Sequence, residues 1–123
     1  MTGRKSAEAV PNAEDKLEQT LKAVWRQALM ERARTVELDG KSYPVRRTPR
    51  RGLAQVDFSF EGREIRALEQ NPDTKSRWAQ LARSGKKVMQ FLESGRYIAN
   101  VAGGDVTMYG KSKQQVRSTR QVL

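Results

Sequence analysis

The sequence predicts a single α+β domain, with a long N-terminal helix, two antiparallel hairpins, a short central helix and a three-stranded β-meander. The strands are expected to form a curved antiparallel sheet or small open barrel. Three observations lead there. Apolar residues recur with a period of 3.6 as far as residue 34 and with a period of two beyond it. Turn pairs rich in Gly punctuate the alternating part at Asp39-Gly40, Glu61-Gly62, Ser94-Gly95 and Gly103-Gly104. Residues 71–85 interrupt the alternation with helical spacing and basic side chains.

The helix is expected over residues 13–34. Asn12 is placed to cap it, with Glu14 and Asp15 beside the positive end of the dipole. Leu17, Leu21, Val24, Trp25 and Ala28 fall at i, i+4, i+7, i+8 and i+11, one continuous apolar face, while Lys16, Gln19, Gln27 and Glu31 occupy the other. Val36 and Leu38 then alternate into the Asp39-Gly40 turn, and Tyr43 and Val45 return. Pro44 lacks a ladder donor and marks an edge or a bulge. Residues 48–52 read as a loop. Val56, Phe58 and Phe60 alternate with Asp57 and Ser59, and Ile65 and Ala67 come back from the Glu61-Gly62 turn.

In residues 71–85, Asn71-Pro72 starts a turn, Asp73 is the expected helix cap, and Ser84-Gly85 stops the helix. Trp78, Leu81 and Ala82, at i, i+3 and i+4, are expected to close the core over the sheet. Residues 86–93 tolerate either helix or strand. Strand is preferred, because Gly85 interrupts the helix and Val88, Gln90 and Leu92 alternate with Met89 and Phe91. Strands around Tyr97–Val101 and Val106–Tyr109 complete the meander. Residues 1–12 read as a flexible basic arm, 13–110 as the folded domain, and 111–123 as a disordered basic tail.

Composition narrows the chemistry. The chain of 123 residues has no Cys and no His. That excludes disulfides, thiolate or imidazole metal sites, Ser-His-Asp and Cys-His nucleophiles, and His general acid–base catalysis. No catalytic residue, cofactor or metal site stands out, so a non-enzymatic protein is expected. There is no run of about 18 apolar residues and no apolar signal-peptide core, so the expected location is the cytoplasm, away from membranes. Gly110-Lys111-Ser112 imitates the end of a phosphate-binding loop, but the preceding glycines have the wrong spacing.

Charge carries the functional expectation. Net charge is +10, and a chain this basic attracts polyanions through counterion release. The charge is unevenly placed: +3 over residues 35–53, +4 over 72–87 and +4 over 111–123, against −2 over 54–71. Lys41, Arg46, Arg47, Arg50 and Arg51 form one candidate cluster, whose guanidinium forks suit phosphate. Lys75, Arg77, Arg83, Lys86 and Lys87 form a second around the short helix. Both sets also fit an ordinary solvated surface, and edge-strand charges discourage aggregation. Among the aromatics, Tyr97 and Tyr109 are the rings expected at the surface, while Trp25, Phe58 and Phe60 have the spacing of core residues. The expected role is nucleic-acid binding through backbone phosphates, to DNA or RNA, with little sequence specificity. The alternative is an interaction or accessory module with an acidic protein partner.

Overall fold

The computed structural model describes residues 13–109. The Asn12 cap, the arm and the tail expected from sequence lie outside them. Helix α1 spans Ala13–Trp25 and runs on as a π-helical turn, Arg26–Met30. Strands β1 (Thr35–Leu38), β2 (Lys41–Pro44), β3 (Arg46–Arg47), β4 (Ala54–Phe60) and β5 (Arg63–Glu69) follow. After them come helix α2 (Arg77–Arg83) and strands β6 (Val88–Glu93), β7 (Arg96–Ala102) and β8 (Asp105–Met108). β1 and β2 make a two-stranded hairpin of their own, whereas β3 to β8 form one six-stranded antiparallel sheet in chain order, with β3 and β8 at its edges. The second hairpin and the meander are therefore continuous: β5 pairs with β6 across the α2 connection, Ala67 opposite Phe91. The segment 86–93 is strand from Val88 onward.

The four two-residue turns have left-handed φ at both positions, from 48° and 79° at Asp39 and Gly40 to 59° and 94° at Gly103 and Gly104. This type I′ geometry matches the right-handed twist of the strands it joins. It also sets the register, and with it the face on which every side chain emerges. Val56, Phe58, Ile65, Ala67, Met89, Phe91, Ala99, Val101 and Met108 point to the inner face and are buried against Leu17, Leu21, Val24, Trp25, Ala28 and Leu29 of the helix. Phe58 meets Tyr43 and Phe91 edge-on, each at 6.3 Å between ring centroids. Trp25 fixes the helix's position. Its indole Nε1–H donates to the Lys87 carbonyl at 2.9 Å, and its ring lies 3.7 Å from where a Cβ on Gly104 would stand.

The first helix is shorter than expected. It ends at Met30 instead of residue 34, because tertiary partners compete for its last turn. The Glu31 N–H reaches back five residues to the Arg26 carbonyl, the Ala33 N–H six to Gln27, both at 2.9 Å, and Arg32 between them is left-handed at φ 52°. The wider turn buries both Ala28 and Leu29. It leaves the Ala28 carbonyl to accept from Arg47 Nη2 at 2.9 Å. It also aims the Gln27 amide at β1, where it accepts from the Glu37 N–H (2.9 Å) and donates to the Glu37 carbonyl (3.1 Å). Gln27 thus behaves as a one-residue neighbouring strand for an otherwise open edge.

Two expectations for the short helix are also corrected. Its N-cap is Ser76, whose hydroxyl accepts from the Ala79 N–H at 3.0 Å. Asp73 sits in an earlier turn, where its N–H donates to the Asn71 side chain. Trp78, Leu81 and Ala82 are only half-buried and lie outside the main core; the buried residue of α2 is Ala79. The reason is geometric. Strand parity places Val88, Asn100 and Ala102 on the outer face, opposite α1, and α2 packs there against β6. Residues 46–47, expected just ahead of a loop, add an eighth short strand against β4.

Replacing Trp25 with Phe should test the seam. The variant removes one of two donors to the Lys87 carbonyl, which keeps the Gly103 N–H at 3.0 Å, so urea unfolding should show a loss of roughly 1 kcal/mol with an unchanged m-value.

Candidate nucleic-acid interface

A meander sends successive connections to alternate ends of its sheet. The β3–β4 loop, the long β5–β6 connection carrying α2, and the β7–β8 turn therefore share one end, which also receives the C-terminal part of α1 through Trp25. The turns Glu61-Gly62 and Ser94-Gly95 share the other. Most of the candidate cations lie in connections at the first end: Arg50, Arg51, Lys75, Arg77, Arg83, Lys86 and Lys87. An ion pair between Arg51 and Asp73 ties the two basic loops to each other directly.

These side chains are not equivalent. Arg83 Nη1 donates to the carbonyls of Pro72 (2.5 Å) and Thr74 (3.2 Å), holding the loop before its own helix. Arg77 lies over the Trp78 ring, 5.7 Å from its centroid. Arg50, Lys75, Lys86 and Lys87 are exposed and have no acidic partner among the described residues. Lys86 lies along the β7–β8 turn, its Cδ 3.5 Å from where a Cβ on Gly103 would stand.

The other three candidates go elsewhere. Arg47 turns inward, donating to Ala28 and, at 3.3 Å, to the Gly52 carbonyl. Lys41 is at the far end, in an open groove of about 750 Å³ between α1, the β1–β2 hairpin and the β4–β5 turn, among Glu37, Asp39 and Glu61. Arg46 lies on the outer face of the sheet, where its Nη2 donates to Asp57 at 3.0 Å. Arg66 joins the same carboxylate through Nε at 2.8 Å. The hydrogen bond from Arg66 holds the Asp57 carboxyl below its ordinary value, Arg46 adding to the effect and partial burial opposing it. Arg66 was not among the candidates, yet its place was readable: a two-residue turn at 61–62 puts residue 57 opposite residue 66.

Around α2 the outer face is polar but packed. The Asn100 amide donates to the Tyr109 hydroxyl at 2.7 Å, and Trp78 bonds the same hydroxyl. Burial pushes the Tyr109 phenol above its ordinary value, against those hydrogen bonds and the nearby charge of Arg77. Tyr97, by contrast, is 53% exposed. Among the described residues, no group of carboxylates is arranged to hold a metal ion, and no helix is long and apolar enough to cross a membrane. Comparison with family models, with curated proteins and with solved structures finds no match.

The Asp57 cluster makes a pH prediction. Its folded pKa lies below the ordinary carboxylate value, so its stabilising effect is complete above that value and fades as pH falls through the depressed one. Asp57→Asn should cost under about 1 kcal/mol at pH 7, the pair being half-exposed. The difference from the native chain should vanish in unfolding curves recorded at increasingly acidic pH.

Proposed function

We propose that this protein is a small, basic, non-enzymatic binding domain that engages nucleic acid through its backbone phosphates, with little sequence specificity. The observation that carries this reading is the gathering of Arg50, Lys75, Lys86 and Lys87, exposed and without acidic partners among the described residues, at one end of the sheet. They come from two connections far apart in sequence that the Arg51–Asp73 pair brings together. The chemistry of the set supports phosphate contact over base readout. Lysines are mobile point charges that position a backbone, whereas sequence is read by side chains set into a groove. The best-organised guanidinium groups, Arg47 and Arg83, are spent on the protein's own carbonyls.

Anisotropy titrations against labelled random-sequence DNA and RNA test the proposal. With four phosphates engaged, affinity should fall roughly a hundredfold between 50 and 200 mM salt. The double variant Lys86→Gln, Lys87→Gln should lower the slope of log affinity against log salt by about two, equally for unrelated sequences. Absence of binding at low salt rejects the proposal.

A further inference from the structure

The outer face of the sheet is unevenly covered. α2 shields the β6–β7 side nearest the basic end, where Val88, Asn100 and Ala102 are buried. Beyond it, one cross-strand row stands uncovered: Asp57, Arg66, Leu92 and Tyr97 lie opposite one another on β4, β5, β6 and β7. At about 4.8 Å per strand step the row is about 14 Å long. It ends in the exposed Tyr97, whose ring contacts no other aromatic or cationic group of the described residues. A cleft of about 400 Å³ opens along it, lined by Asp57, Glu64, Arg66, Leu92 and the Ser94-Gly95 turn, next to a β-bulge at Phe91/Leu92.

Arg46 and Arg66 both lean on Asp57, so two guanidinium planes are held in position along the row. With Glu64 counted, the strip is close to neutral and supplies little attraction by itself. What it supplies is a surface for a flat ring, reached from the basic end through Arg50 and Arg46. A polyanion that profits from both features must have unstacked bases. In a duplex the base faces are already covered, whereas a single strand can lay one on Tyr97 while its phosphates follow the arginines.

We infer that the polynucleotide recognised here is single-stranded, with Tyr97 as the ring on which a base stacks and Arg66 as the adjoining backbone contact. This rests on the phosphate-binding reading above. The test compares the full chain with Tyr97→Ala and Tyr97→Phe, titrating a labelled oligothymidine single strand and a mixed-sequence duplex at low salt. Tyr97→Ala should weaken single-strand binding roughly tenfold and leave duplex binding unchanged, while Tyr97→Phe should stay within about twofold of the native chain. Single-strand affinity that survives Tyr97→Ala overturns the inference and leaves phosphate binding standing. Failure of both nucleic acids to bind the native chain overturns both.

Discussion

The seam between α1 and the inner face of the sheet is the constraint on which the rest depends. A stripe from Leu17 to Leu29 is buried against residues of β4 to β8, and each large side chain taken out of water contributes on the order of 1.5–3 kcal/mol. Burial alone is non-directional. The Trp25–Lys87 hydrogen bond, across 62 residues of sequence, is what sets the helix along the sheet. It acts on the surface too: Lys86 and Lys87 lead directly into β6, and the carbonyl between them and that strand is the one Trp25 holds. Core and candidate interface are thus joined at one backbone atom.

Most of the fold was legible because its signals are local. A 3.6-residue stripe, four turn pairs with Gly in second position and strict alternation between them leave few choices of element or register. The misread places are those where a side-chain partner, near or distant in sequence, overrides the local pattern. Nothing near residue 30 announces that Arg47 and Gln27 will draw the last helical turn into π geometry and end it early. Ser76 displaces Asp73 as cap because Asn71 has already bent the chain ahead of it. Trp78, Leu81 and Ala82 have helical spacing, but spacing does not say which face of a sheet a short helix will cover.

The candidate site was legible in charge and illegible in direction. Residues 41–51 read as one basic run, yet the chain passes through the second strand of a hairpin, a two-residue strand and a loop in that distance. Lys41 ends among carboxylates, Arg47 against a helix carbonyl, Arg46 on Asp57, and only Arg50 and Arg51 reach the end shared with α2. The meeting of that loop with residues 71–87 follows from the alternation of connections in a meander, which needs the strand order and not just the strands. Tyr97 was rightly expected at the surface, since it follows a turn and precedes the buried part of β7.

The central claim is that charge is gathered by topology at one end of this sheet for contact with a polynucleotide. Mapping backbone amide shifts of the labelled chain as a random single strand is added at low salt tests it residue by residue. The account predicts changes concentrated in residues 48–53, 73–77 and 84–87, extending along the outer face toward Tyr97, with the Asp39-Gly40 and Glu61-Gly62 turns unmoved. Changes centred on those two turns, or spread evenly over both ends, would contradict it.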